Sequence, residues 1–411
     1  MFSGRLPWSH PTNRLTRALA EKRASGVRVL DLTESNPTRV GLDYPLPDIA
    51  AVFAVAAMAA YDPAPRGLTA AREAVAAYYG RRGHAVRADR IVLTASTSEA
   101  YAYLLKLLAD PGDAILVPSP SYPLFDYLAG LEAVRTVPYQ LALEDRWRLD
   151  GASVERAARD SGPAGPGAIV AVNPNNPTGT AVTRDALAFL DGFAADRDIA
   201  LISDEVFFDY VTPTGGRSGA ATGRSGEGSE PMSLLPRGAG DPAPRTLRFV
   251  LGGLSKSCGL PQLKLGWIVV HGPDDAADAA LERLELIADT YLSPGTPVMV
   301  AAPRLLELGE TIQARVRRRV EENRAHLVQA VGGDSACRVL DTDGGWSAVL
   351  QVPATLPEEE LILRLLDKDC VLVHPGYFFD FPREAYLVLS LLPAPRDFRE
   401  AVGRILQRVQ D

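Results

Sequence analysis

From Ile91 onward the chain alternates short, continuously apolar runs with amphipathic stretches, and this pattern limits its fold more than any other feature. "IVLT" precedes "SEAYAYLLKLLAD", "AILVPS" precedes "YPLFDYLAGL", and "AIVAVNP" precedes "TRDALAFLDGFAADRD", with "IALISDE" following. Strands that are apolar at every position are buried on both faces, which requires helices above and below the sheet. The alternation therefore predicts an α/β fold: a mostly parallel, doubly wound sheet. "LRFVLGG" and "GWIVVHG" add two more strands. Long helices such as "ETIQARVRRRVEENRAHLVQAV" come next, and "CRVL", "WSAVLQV", "VLVHP" and "YLVLSLL" predict a smaller α+β domain. The expected division is an N-terminal segment (residues 1–45) joining the small domain, a large domain (46–295) and the small C-terminal domain (296–411).

Composition narrows the partners. A formal charge of -8 argues against nucleic acid, whose phosphates need a basic surface. Cys258, Cys337 and Cys370 are far apart with no CxxC pair, which points to a reducing compartment and against disulfides or a metal site. The opening "MFSGRLPWSHPTNRL" is polar and broken by prolines. The run "IAAVFAVAAMAAY" is shorter than the roughly 18 residues of a membrane span. A soluble, cytoplasmic protein is expected. The Gly/Ser/Pro/Arg-rich tract between Thr212 and Arg245 reads as a mobile surface loop.

Ligands of an open parallel sheet sit outside the carboxyl ends of its strands. The polar groups there are Ser96, Thr97 and Ser98, then Tyr122, Asn176, Asp204 and Lys256. Lys256 stands out because it follows an apolar strand and is flanked by glycines and small residues, as expected where a ligand lies against the backbone. Ser96 and Glu99 also fit the S-x-x-E capping box, and the same helix N-terminus offers N–H groups suited to a phosphate.

"NPNNPTG", "SDEVF" and "LSKSCGLPQLKLGW", in this order and spacing, resemble the class I/II aminotransferases among the fold-type I pyridoxal-phosphate (PLP) enzymes. The resemblance runs from "ESNPT" to the end of the chain. It implies that Lys256 forms a Schiff base with pyridoxal 5'-phosphate and carries protons, with Ser255 beside it. It implies that Asp204 pairs with the pyridine nitrogen, Asn176 holds the phenolic oxygen, and Ser96, Thr97 and Ser98 hold the phosphate. Tyr122 would stack on the ring, unless it is a core tyrosine. Tyr61 would reach the cofactor of a partner subunit, making a homodimer, or would simply pack. Asn36, Asn176, Arg66 and Tyr377 are the substrate-side candidates. Arg39, Arg66 and Arg383 also read as solvated loop arginines, and His374 and Tyr377 as core. The implied activity moves an amino group from a small-molecule amino donor to a 2-oxo acid or other carbonyl acceptor. The alternative on the same fold is a lyase, decarboxylase or racemase. A ligand-sensing regulator would carry a basic DNA-binding module, and the segment before Glu34 is too short for one.

Four positions depart from the family pattern. Phe207 stands where a tyrosine usually donates to the phenolic oxygen, so the Schiff-base nitrogen is expected to hold its proton to higher pH. Gly253 replaces a serine, and Lys264 replaces an arginine in the phosphate cup, losing the bidentate fork. Val388 stands where an arginine usually binds the substrate carboxylate, so either another arginine (Arg39, Arg66 or Arg383) substitutes or the substrate has no carboxylate at that position.

Overall fold

The computed structural model describes residues 2–8, 13–144, 146–212, 230–238, 241, 243–333 and 335–410. A short strand, β1 (Leu30–Asp31), precedes the main sheet. That sheet is built from β2 (Ile91–Thr94), β3 (Ala114–Ser119), β4 (Arg135–Leu143), β5 (Trp147–Leu149), β6 (Pro166–Val172), β7 (Ala200–Asp204), β8 (Arg248–Gly253) and β9 (Gly266–His271). Its spatial order is β2-β9-β8-β7-β6-β3-β4-β5. Pairs β3–β4, β3–β6, β6–β7 and β7–β8 are parallel, while β9 runs antiparallel to both β2 and β8, and β5 antiparallel to β4.

The apolar runs are explained by two separate cores. Leu93, Leu116, Ile169, Leu201 and Val250 pack into one. Their sequence neighbours Val92, Ile115, Val170, Ile202 and Phe249 pack into the other. Successive side chains of a strand point to opposite faces, so a sheet covered on both sides needs an apolar residue at every step.

Strands β4 and β5 were not anticipated. Along β4, Tyr139 and Leu141 are buried while Gln140 and Pro138 are exposed. Its alternation is that of a strand with one face partly solvated, which a search for continuous apolar runs passes over.

The remaining strands are β10 (Arg338–Val339), β11 (Ser347–Gln351), β12 (Val371–Leu372), β13 (His374–Pro375) and β14 (Tyr386–Ser390). β10, β11, β14 and β13 form an antiparallel sheet, reached through the 36-residue helix Thr296–Val331. β1 pairs in parallel with β12, which ties the N-terminal segment to this later part of the chain. The fold is thus the expected α/β sheet with a smaller α+β unit.

Most of the Gly/Ser/Pro-rich tract, residues 213–229, lies outside the described residues. Its later part corrects the loop expectation: Met232, Ser233, Leu234 and Leu235 are buried. The Ser233 hydroxyl and the Leu234 N–H donate to Glu205 at 2.6 and 2.9 Å. A carboxylate buried beside β7 needs donors, and this segment supplies them. All three cysteines are free thiols.

Candidate active site

The five strands β2, β3, β6, β7 and β8 share one direction, so their carboxyl ends lie along one edge of the sheet. The chain turns opposite ways after β3 and β6, which are neighbours, and such a switch point opens a crevice. Buried Asn175 spans it, accepting from the Ser121 hydroxyl (2.9 Å) and donating to the Pro120 carbonyl (2.9 Å) and Thr178 (2.8 Å). The neighbouring Asn176 stays half-buried, and its Oδ1 accepts from the Ser347 hydroxyl at 3.4 Å.

Lys256 lies on a single helical turn, Leu254–Ser257, directly after β8. Its backbone is held on three sides. Leu254 N–H donates to Leu265 (2.9 Å), Tyr210 donates its hydroxyl to the Lys256 carbonyl (2.8 Å), and Gln313 donates to the Ser257 carbonyl (3.0 Å). The flanking glycines have a different cause from the one expected. A Cβ on Gly252 would lie 2.4 Å from the indole nitrogen of Trp267, and one on Gly253 would lie 3.1 Å from the Leu265 carbonyl. They are small because β8 and β9 approach closely.

The Lys256 amine sits 5.2 Å from the Trp346 ring centre and 5.7 Å from that of Phe207. Those two rings meet edge to face at 5.3 Å. Burial lowers the amine's pKa, and the Asp204 charge works against that. Asp204 ends β7, the parallel neighbour of β8. Burial pushes its pKa up to about 6, opposed by a 3.2 Å hydrogen bond from Val206 N–H, another of 3.2 Å from the Tyr101 hydroxyl, and the Lys256 charge. Glu205 is buried as well, and burial raises it to about 7 against donors from Ser203, Ser233, Leu234 and Asn173.

Helix Thr97–Leu108 starts beside these groups. Ser96 caps it by accepting the Glu99 N–H at 3.1 Å, as the capping box predicts. Glu99 returns the bond to Ala95 N–H (2.6 Å), one residue earlier than the standard box. The half-buried Thr97 and Ser98 present first-turn N–H groups, which have no acceptor within a helix. Gly266 of β9 abuts this turn, with its Cβ position 3.0 Å from the Ser96 carbonyl carbon. Ser255, next to Lys256, is half-buried too.

The outer candidates are more dispersed. Tyr122 is 49% exposed, which rules out the core-tyrosine reading, and Tyr61 is 65% exposed. Lys264 is exposed, with a left-handed backbone of φ 53°. Arg66 is not free: it pairs with Glu285 (3.1 Å) and donates to the Asp89 carbonyl (3.2 Å). The Asn36 side chain closes its own turn, accepting from Thr38 N–H (3.0 Å) and its hydroxyl (2.7 Å). Tyr377 is exposed and packs edge-on against Phe378 at 5.1 Å, while Arg39 and Arg383 are exposed. His374 packs against Phe378 and Phe379. Val388 is buried within the small sheet, opposite Val349 and His374. A cavity of about 640 Å³ walled by Arg82, Glu205, Asp209 and Arg317 does not include Lys256, and Arg82 there is paired with Asp209 at 2.6 Å.

Tyr101, Trp346 and Ser347 were missed. Tyr101 had a signal, since it lies four residues after Thr97 on one helix face. Trp346 and Ser347 arrive from β11 and its approach, where nothing local marks them. An amine of lowered pKa, a half-buried carboxylate on the adjacent strand and a helix N-terminus on one sheet edge suit an aldehyde, a ring nitrogen and a phosphate, the three groups of pyridoxal phosphate.

Comparison with known proteins agrees. The family model "Aminotransferase class I and II" matches residues 28–405. An alanine aminotransferase of Mycobacterium tuberculosis is 28% identical over 94% of this chain and 86% of its own length. A glutamate-pyruvate aminotransferase of Escherichia coli is 25% identical over 92% and 90%. The solved alanine aminotransferase of Pyrococcus furiosus superposes with a TM-score of 0.84 at 22% identity over the whole of both chains, showing the shared fold. The chain therefore belongs to the class I and II aminotransferases, enzymes that work with pyridoxal phosphate.

Proposed function

We propose that this enzyme moves an amino group between an amino acid and a 2-oxo acid or other carbonyl, with Lys256 as the amine that holds pyridoxal phosphate and carries the proton. The observation behind this is the pairing of Lys256 and Asp204 at the ends of adjacent parallel strands, both half-buried and each acting on the other's charge. When bound, the cofactor supplies an electron sink for a substrate losing a Cα proton. The depressed pKa of Lys256 leaves more of its Nζ unprotonated, able to attack a carbonyl and to take a proton at substrate Cα. Asp204 holds the opposing charge at the ring nitrogen. Asn176, Phe207, Ser255 and Lys264 line the cofactor, Ser96, Thr97 and Ser98 hold its phosphate, and Tyr122 covers its ring.

Two exposed tyrosines and their neighbours support an assembly. Val55, Tyr61, Leu286, Tyr291 and Leu292 are exposed apolar groups, and the Arg66–Glu285 ion pair ties their two segments together. We read this face as a homodimer contact through which Tyr61 reaches the partner's cofactor. The division at residues 45 and 295 is part of the same reading, supported by the β1–β12 pairing. No helix among the described residues is long and apolar enough to cross a membrane, which accords with a cytoplasmic enzyme.

Substrate contacts are assigned to Asn36, Asn176, Arg66 and Tyr377, although Arg66 must leave Glu285 to take part. Buried Val388 keeps a second reading alive, a lyase, decarboxylase or racemase acting without the usual carboxylate clamp. An absorbance screen of the PLP-loaded enzyme against amino acids separates the two. Conversion to the pyridoxamine form by a donor alone is expected. Release of pyruvate, ammonia or carbon dioxide without that conversion would overturn transamination.

A further inference from the structure

We infer that Tyr101 is a positioning residue for this chemistry, joining the carboxylate at the ring-nitrogen position to the helix that begins at the phosphate turn. The inference rests on the cofactor assignment above. Tyr101 lies on helix Thr97–Leu108, and its hydroxyl donates to Asp204 Oδ2 at 3.2 Å. A helix is rigid over one turn, so this bond sets the distance between the phosphate turn and the carboxylate by a single element. Tyr101 is 3% exposed and its ring is held edge-on by Phe125 at 5.5 Å, so its hydroxyl has little freedom to point elsewhere.

The carboxylate needs that donor. An ionised Asp accepts only, and half-buried Asp204 has lost part of the water that would otherwise satisfy it. Val206 N–H serves Oδ1, and Tyr101 serves Oδ2. The groups that reach Asp204 are Tyr101 from the helix, Val206 from its own loop and Lys256 from the turn after β8. Tyr139, near Tyr101, gives its hydroxyl to the Val170 carbonyl at 2.8 Å and does not substitute. Glu205, the next residue, is bound to Ser203, Ser233 and Leu234 instead. Burial beside a carboxylate raises the Tyr101 phenol well above its ordinary pKa, so it stays protonated and always donates. A donor to the charged form favours that form, and removing it lets Asp204 take a proton at higher pH.

The test compares the parent and Tyr101→Phe as PLP-loaded proteins, since phenylalanine keeps the ring and its contact with Phe125. Titration with PLP, followed by the tethered chromophore, is expected to show a dissociation constant about tenfold higher in the variant. The acidic limb of kcat should move to higher pH, with KM changed little. In an Asp204→Asn background the same substitution should have almost no further effect on PLP affinity. A folded Tyr101→Phe protein with unchanged affinity and an unchanged acidic limb would overturn the inference while leaving the cofactor assignment intact. A parent protein that forms no tethered chromophore would overturn both.

Discussion

At the scale of single residues, enclosure decides chemistry. The Lys256 amine lies against two aromatic rings, where losing its proton removes a desolvation cost and leaves a nucleophile. Lys256→Ala is expected to abolish the tethered chromophore and lower turnover by on the order of 10³-fold or more, read by absorbance and steady-state kinetics. A yellow, fully active variant would end the proposed role. Phe207 lies in the same wall and offers no hydroxyl. Phe207→Tyr should therefore lower the pKa at which the chromophore titrates, seen in a spectrophotometric pH series. Glu205 makes a stability prediction. Its ordinary pKa is 4.5 and burial raises it to about 7 in the folded protein. The folded state holds the proton more tightly, so the contribution is complete below the ordinary value and is lost as pH rises through about 7. Melting temperature should fall from about pH 5 to about pH 8, and less steeply in Glu205→Gln. Asp204, raised to about 6, acts in the same direction and keeps part of the slope. Equal slopes in the two proteins would contradict this.

At the scale of elements, the site depends on how closely β9 meets the helix turn at Ser96. Gly266 has only hydrogen where a Cβ would press on the backbone at 3.0–3.2 Å from Ser96 and Thr97. Gly266→Ala must displace that turn by a few tenths of an ångström, because besides the Thr94 hydroxyl the nearest neighbours are main chain and cannot rotate away. Overpacking of this kind costs about 1–3 kcal/mol of stability, and the displaced turn is expected to bind PLP more weakly. Equilibrium titration with PLP measures it, and an unchanged affinity would detach the turn from the phosphate. Ser96→Ala removes the helix cap and should cost about 1 kcal/mol of stability. Elements differ in how openly the sequence declares them. β2, β3, β6, β7 and β8 are apolar throughout and were readable, whereas β4 alternates and was not.

At the scale of the whole molecule, assembly is the open arrangement of parts. With a shared site, the protein should sediment at twice the chain mass. Mixing subunits carrying Tyr61→Ala with subunits carrying Lys256→Ala should restore up to about a quarter of parental activity, since only a hybrid pairs an intact lysine with the other chain's intact tyrosine. No recovery in confirmed hybrids would place Tyr61 within its own subunit's site or outside any site.

The sequence by itself determined the doubly wound sheet, through the need for apolar residues on both faces, and it marked Lys256, Asp204, Asn176 and Ser96–Ser98 through strand ends and local motifs. These depend on neighbours a few residues away, which a linear reading can see. Only the tertiary structure decided that Tyr101 bonds Asp204, that Trp346 and Phe207 enclose the amine, that Gly252 yields to Trp267 and that Arg66 is held by Glu285. Each of those contacts joins residues distant in the chain. Their energies come from burial and packing between separate elements, and no local pattern encodes which elements will meet.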